Sequence, residues 1–385
     1  MPPESALSPE QLRRHYQHFL AADRVYLTGH SHQAWPDVAR EGLLESFDDA
    51  ARHLDDKWGL ALAKADAVRA GIAARIGGAP NEFALGANTH ELVSRLLSAF
   101  DLRARPRLVT TSGEFHSMAR QLRRLAEAGI DVRVVEAEPV ATLAERLGAE
   151  LNELTAAVLC SSVLFRTSSV VPDLPGLARA ADALGVVTLL DIYHAFNVVP
   201  FQLGDYPESV FVTGGGYKYA QWGEGVCFLR VPPSCTLRPV YTGWFADFEH
   251  LDAAQDERVQ YGPRGADRFA GSTYDPASHY RAARVIEFAS EQGLDVATLR
   301  RISLRQTGLL LAALEGFEVL TPQEPAARGG FVALRRADAS ELVQALRREG
   351  VFADARGDVL RLGPAPYVTD PELERAVAAL RHLCR

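Results

Sequence analysis

Three short stretches of this chain hold residue types that chemistry needs together. Val186-Val-Thr-Leu-Leu-Asp191 is an apolar run that ends in a carboxylate, with Ile-Tyr-His194-Ala directly after it. Val210-Phe-Val-Thr leads into Gly214-Gly-Gly-Tyr217-Lys218-Tyr219, a lysine between two tyrosines behind three glycines. Asn88-Thr89-His90-Glu91 opens a helical pattern after the strand candidate Phe83-Ala-Leu. In a parallel sheet the ligand crevice lies at the carboxyl ends of the strands, so Asp191 is expected to face a pocket. A desolvated lysine amine has a lowered pKa and serves as nucleophile and proton carrier. A helix N-terminus offers N–H groups to a phosphate. Amine, carboxylate and phosphate cradle are the joint requirements of pyridoxal 5'-phosphate (PLP): a lysine for the Schiff base, an acid to keep the ring nitrogen protonated, and donors around the phosphate. Taken singly, each stretch has a plainer reading. Asp191 reads as a helix cap, the glycines as a mobile, sharply turning segment, and Asn88-Thr89 as a cap. The order of all three carries the argument.

The elements that must position these residues follow from periodicity. Ser8-Pro9-Glu10-Gln11 starts a helix with a capping box, expected to run to about Leu20. Val25-Tyr26-Leu27 reads as a short strand, then comes the loop Thr28-Gly-His30-Ser31-His32-Gln-Ala-Trp-Pro36 and a helical region to about Ile76. Phe83-Ala-Leu, Arg107-Leu-Val-Thr, Val132-Arg-Val-Val, Ala157-Val-Leu-Cys, Val186-Val-Thr-Leu-Leu, Val210-Phe-Val-Thr and Val226-Cys-Phe-Leu are seven strand candidates, alternating with helical patterns. Their mostly unbroken apolar character predicts strands buried on both faces of a mostly parallel sheet, the last running antiparallel. Past Arg268 the texture becomes a small α+β domain. Its expected strands are Phe317-Glu-Val-Leu, Phe331-Val-Ala-Leu, Val351-Phe-Ala-Asp and Val359-Leu-Arg-Leu.

Composition sets the outer bounds. At 385 residues, with 47% hydrophobic and 23% charged residues, the chain suits a large domain plus a smaller one. A net charge of −8, without a basic patch interleaved with aromatics, gives a nucleic-acid surface no support. The N-terminus lacks an apolar signal core and no stretch reaches membrane-spanning length, so a cytoplasmic protein without membrane partners is expected. Cys160, Cys227, Cys235 and Cys384 form no CxxC pair, and no metal site is expected.

The segment Asp191-Ile-Tyr-His194-Ala-Phe-Asn-Val-Val-Pro200, followed by Tyr217-Lys218-Tyr219 and Gly223-Glu-Gly225, resembles kynureninase and its relatives, in the class V aminotransferase branch of the fold-type-I PLP enzymes. The resemblance extends from Tyr26-Leu-Thr-Gly to Arg361 and is strongest between Asn88 and Thr273. It implies an α/β PLP-dependent transferase fold of type I: a large PLP-binding domain over 61–270 with a mostly parallel seven-stranded sheet, and a small C-terminal α+β domain over 271–385. Residues 1–60 would pack on the small domain and on the partner of a homodimer with shared active sites.

The resemblance also implies roles. Asn88 and Thr89 match the phosphate-binding pair, Phe115 the aromatic that stacks on the pyridine, and Asp191 the ring-nitrogen partner with His194 beside it. Tyr217 matches the phosphate-contacting tyrosine and Lys218 the residue of the internal aldimine. Trp244 and Thr273 match residues that reach the partner's phosphate. Arg361 matches the clamp on the substrate α-carboxylate, with His30 and Ser31 on the substrate side. The implied function is a kynureninase-like hydrolase or lyase acting on an α-amino acid, the alternative being a class V aminotransferase with a remodelled pocket. Two departures bear on that choice: Gly29-His-Ser-His-Gln33 replaces the family's Gly-Asn-Ser-Leu-Gly, and Met118 replaces an Asp after the stacking aromatic. A cysteine desulfurase reading lacks its nucleophile, because no cysteine lies between Cys235 and Cys384.

Overall fold

In the computed structural model, which describes residues 8–20, 23–250 and 258–384, the chain opens with short helices α1 (Pro9–Leu12) and α2 (Gln17–Leu20), strand β1 (Val25–Tyr26), and helices α3 (Val38–His53) and α4 (Lys57–Ile76). Then follow β2 (Phe83–Gly86), α5 (Thr89–Leu97), β3 (Arg107–Thr111), α6 (His116–Glu127), β4 (Asp131–Val135), α7 (Leu143–Ala149), β5 (Thr155–Ser161), α8 (Leu174–Ala183), β6 (Val187–Asp191), β7 (Phe211–Gly215) and β8 (Cys227–Arg230). The C-terminal part holds α9 (Ala277–Glu291), α10 (Val296–Ala313), β9 (Val332–Arg335), α11 (Ala339–Arg348), β10 (Val351–Phe352), β11 (Asp354–Arg356), β12 (Val359–Leu362) and α12 (Asp370–Leu383). Residues 1–7 of the N-terminal segment lie outside the described residues.

Seven apolar runs form one sheet in the order β2-β8-β7-β6-β5-β3-β4. All its pairings are parallel except those of β8, which is antiparallel to β2 and β7. Successive side chains of a strand point to opposite faces. Leu108, Ala157, Leu159, Leu189 and Phe211 therefore pack with Leu92 and Leu96 of α5 and Met118 and Leu122 of α6. Val109, Val158, Cys160, Leu190 and Val212 pack on the other side with residues of α4, α7, α8 and α9. Helices on both faces require apolar residues at every strand position, which is why the runs do not alternate. Because the strands are parallel, β3, β5, β6 and β7 finish at one edge, on Thr111, Ser161, Asp191 and Gly215. That shared edge places the site.

A second core joins the two ends of the chain. β11, β12 and β9 form an antiparallel sheet packed with residues of α10, α11 and α12. Leu12, Tyr16, Val25 and Leu27 belong to the same cluster. β1 pairs in parallel with β10, and Thr28 bridges Gly363. The loop after β1 is thereby laid along the end of β12, beside Arg361. Among the described residues no helix is long and apolar enough to cross a membrane.

Three local expectations are corrected. The Ser8–Gln11 capping box forms, but the helix does not run on to Leu20. It breaks at Tyr16, and the Asp37 carboxylate restarts it by accepting the Gln17 and His18 N–H groups at 2.9 and 3.1 Å. The helical region up to Ile76 is split by Leu54, whose φ of +50° ends α3. Phe317-Glu-Val-Leu forms only the isolated bridge Val319 to Leu334. There the Thr321 hydroxyl accepts the Ala333 N–H at 2.8 Å, so a side chain stands where the next carbonyl of a ladder would.

The three glycines before Lys218 are also not a loose turn. Gly214 and Gly215 are strand residues of β7, buried against neighbours that leave no room for a side chain. A Cβ on Gly215 would meet the Tyr193 hydroxyl and Cys227 Sγ, and one on Gly216 the indole of Trp222, all within 2.6 Å. Glycine is present for close approach, and it holds the segment before Lys218 against the core.

Candidate active site

The turn after β7 returns Lys218 to the carboxyl edge of the sheet, where it is 4% exposed. Its Nζ lies 2.9 Å from His194 Nε2. It also lies 4.6, 5.1 and 5.6 Å from the ring centroids of Tyr193, Phe115 and Tyr217. Burial lowers the amine pKa to about 7, although the nearby Asp191 charge pulls the other way. Asp191 ends β6 one strand away, and its Oδ1 accepts the Tyr193 N–H at 2.8 Å. Burial raises its pKa, opposed by that N–H and by the Lys218 charge. Among the described residues no donor reaches Oδ2, which leaves that oxygen to a ligand. A cation placed there would draw the carboxyl back to its ionised form.

His194 is held neutral, well below its ordinary pKa, by burial and then by the Lys218 and Arg361 charges. Phe115 follows β3, with its ring centroid 6.1 Å from that of His194. Its neighbour Glu114 ties the loop to the end of β5, accepting the Ser161 N–H at 2.7 Å and the Ser161 hydroxyl at 2.6 Å. Burial pushes the Glu114 pKa up to about 8. On the other flank Asn88 Oδ1 caps α5 by accepting the Glu91 N–H at 2.9 Å. The Thr89 hydroxyl leans towards Cys227 Sγ at 3.9 Å. Tyr217 packs at 5.1 Å on Tyr193 and at 5.6 Å on His32.

A second cluster borders the first through Phe331. His30 stacks on that ring at 4.6 Å, the Arg361 guanidinium sits 5.6 Å from its centroid, and His194 6.3 Å. Arg361 is 1% exposed. Its Nε and Nη2 donate to Oδ1 and Oδ2 of Asp354 at 2.8 and 2.5 Å, and its Nη1 to the Phe165 carbonyl at 2.8 Å. His30 Nε2 lies 2.8 Å from Asp354 Oδ1. Burial, then the Arg361 charge, lowers the His30 pKa to about 4.

The expected residues thus fall into groups. Asp191, His194, Phe115, Tyr217 and Lys218 converge, and Arg361 and His30 border them. Asn88 and Thr89 stand at the start of α5. Ser31 directs its hydroxyl to the Thr28 carbonyl at 3.2 Å. Trp244 and Thr273 lie apart from Lys218. The Trp244 ring packs on Phe245 and Phe248 and is 44% exposed, and Thr273 lines a separate cavity of about 1020 Å³ with Gly86 and Ala87. Met118 is buried in the core between α5 and α6 and presents nothing to the site. Sequence reading missed Tyr193, Glu114, Phe331 and Asp354. Only Asp354 carried a signal: it stands two residues before Arg356 on a strand, so both share a face.

Two solved structures share this architecture nearly end to end. One is a C-DES variant with glycine covalently linked to its PLP cofactor, with TM-score 0.84 and 17% identity over 96% of this chain and 98% of that one. The other is a cysteine desulfurase from Thermococcus onnurineus, with TM-score 0.83 and 16% identity over 98% of each chain. The fold is that of the fold-type-I PLP-dependent enzymes. Residues 299–380 match the family model for the kynureninase C-terminal domain. The chain is also 28% identical to kynureninase from Deinococcus radiodurans over 94% of its own length and 90% of that protein's. Over most of its length the chain is therefore similar to kynureninases, on the fold of the PLP-dependent enzymes.

Proposed function

We propose that this enzyme holds PLP covalently on Lys218 and cleaves a side-chain bond, at the β or γ carbon, of an α-amino acid in the manner of a kynureninase. The observation that carries the reading is the Lys218 amine, buried, lowered to about 7 and enclosed by His194 and three aromatic rings. The residues fit the cofactor. Asp191 Oδ2 is open to a protonated ring nitrogen, Phe115 offers a face, and Asn88, Thr89 and Tyr217 supply polar groups for a phosphate. When bound, PLP supplies a sink for electrons released at the substrate α-carbon. Asp191 keeps a proton on the ring nitrogen, and Arg361 holds the substrate carboxylate. The Lys218 amine would carry the α-proton. Apolar walls exclude water from that transfer.

The substrate test uses L-kynurenine and 3-hydroxykynurenine with the PLP-loaded protein. Release of alanine with the corresponding anthranilate is the expected result, and turnover of neither removes the kynureninase reading. The second reading, a class V aminotransferase, rests on the loop holding His30 and the exposed His32 beside Tyr217. Conversion of bound PLP to its pyridoxamine form by an amino acid would select it. A desulfurase remains disfavoured, because Cys384 sits just past α12 and no other cysteine follows Cys235.

We read the enzyme as a cytoplasmic homodimer in which Trp244 and Thr273 serve the partner's site. Val240, Tyr241, Trp244 and Phe248 are exposed apolar groups close in sequence, the kind of surface that a partner covers. The same PLP-loaded sample is expected to sediment at twice 42.0 kDa, and sedimentation as a single chain removes the shared site.

The lowered amine sets a pH dependence. The free amine is the form that captures PLP, and it dominates above about pH 7. Stopped-flow absorption after mixing apo-protein with PLP is expected to show a constant rate above that pH. Below it, the rate falls roughly tenfold per unit. A rate unchanged two units lower would mean that Lys218 is not the capturing group.

A further inference from the structure

We propose that Asp354 is the positioning residue of the carboxylate receptor, holding Arg361 and Arg356 so that the open N–H groups of Arg361 face the substrate's α-carboxylate. The inference rests on the reading of Arg361 as the carboxylate clamp and extends it. Asp354 and Arg361 are directly paired across the β11–β12 hairpin, so the backbone register itself sets one against the other. Both Asp354 oxygens are engaged. Oδ1 accepts from Arg361 Nε at 2.8 Å and lies 2.8 Å from His30 Nε2, while Oδ2 accepts from Arg361 Nη2 at 2.5 Å and pairs with Arg356 Nη1 at 3.4 Å. A carboxylate tied on four sides by three residues cannot swing away when a ligand arrives. It therefore acts as a fixed jig, not as a stand-in that the substrate displaces.

What Asp354 leaves open is as specific as what it occupies. A guanidinium has five N–H groups. Asp354 takes two of those on Arg361 and the Phe165 carbonyl a third. One N–H remains on Nη1 and one on Nη2. The Phe165 ring meets the Phe115 ring edge-on at 5.4 Å, so the residue that fixes Nη1 also abuts the aromatic beside Lys218. Phe331 backs Arg361, His30 and His194 together. The His30 ring is neutral, and its Nε2–H is the donor to Asp354, so one anion faces two arginines and the receptor keeps a net positive charge. Removing the Asp354 charge leaves Arg361 buried without its counterion, free to turn towards other acceptors.

The test measures carboxylate discrimination, which a purely structural role would not change. PLP-loaded wild type, Asp354→Ala, Asp354→Asn and Arg361→Ala are titrated with L-alanine and with L-alaninamide, following the cofactor's absorption shift. The wild type is expected to favour L-alanine over the amide by at least about 30-fold, a difference of about 2 kcal/mol. Asp354→Ala and Asp354→Asn should lose most of that ratio through weaker L-alanine binding, with alaninamide unchanged within about threefold. Arg361→Ala should lose all of it. Should Asp354→Ala fail to fold, Asp354→Asn decides. A variant that keeps the wild-type ratio, or binds L-alanine more tightly, overturns the positioning role while leaving the Arg361 clamp intact. If PLP-loaded wild type responds to neither compound, or does not discriminate, the amino-acid reading itself falls and takes this inference with it.

Discussion

Lys218→Ala is expected to give a protein that binds PLP weakly, shows none of the yellow of covalently held cofactor, and turns over at least about 10⁴-fold more slowly. That loss amounts to about 5 kcal/mol of transition-state stabilisation. In the proposed reading the amine both attaches the cofactor and moves the α-proton, and no other lysine approaches the site: Nζ of this residue alone faces Tyr193, Phe115 and Tyr217 among the described residues. The fold should not suffer. With a value of about 7 in place of 10.5, the lysine binds its proton better in the unfolded chain. It therefore costs stability at every pH below 10.5, in full below about 7, and removing it relieves that cost. Kinetics, absorption and a melting curve check the three parts separately. Partial recovery of turnover by added methylamine would locate the loss in the missing amine. Retained yellow colour would sink the assignment.

Asp191→Asn is expected to keep PLP bound and yellow while kcat falls by about 10³-fold, about 4 kcal/mol. Asparagine keeps an oxygen for the Tyr193 N–H, which now bonds Oδ1 at 2.8 Å, so local geometry survives. It cannot hold a proton on a ring nitrogen by charge, and the electron sink weakens accordingly. The distinguishing signature is loss in kcat with KM little changed, because the interaction strengthens as charge reaches the ring. A variant within tenfold of wild type would show that Asp191 is only a β6 terminus.

Much of this was legible in the chain because parallel-sheet strands write themselves as apolar runs. Every one of the seven is a strand, and β8 is antiparallel as expected. The Asp191 and Lys218 stretches were legible for the same reason: each sits where such a run stops. The misreadings have equally local causes. Tyr16, Leu54 and Thr321 interrupt elements through single dihedral angles or one side-chain hydrogen bond, which periodicity does not register. Gly214-Gly-Gly looked mobile because glycine permits a turn. Its reason lies instead in Tyr193, Cys227 and Trp222, which arrive from other parts of the chain.

The amino-acid order by itself determined the sheet, its polarity and the placing of Asp191 and Lys218 where apolar runs stop, because those depend on local period and on where strands end. Only the tertiary structure decided that Arg361 is gripped by Asp354 and backed by Phe331, that His30 crosses from the N-terminal loop to join them, and that Met118 is core while Glu114 is buried beside Phe115. Those contacts range from seven positions apart, for Arg361 and Asp354, to 324, for His30 and Asp354. They exist because β1 docks on β10 and packing closes the chain on itself, and no spacing along a single segment encodes that closure.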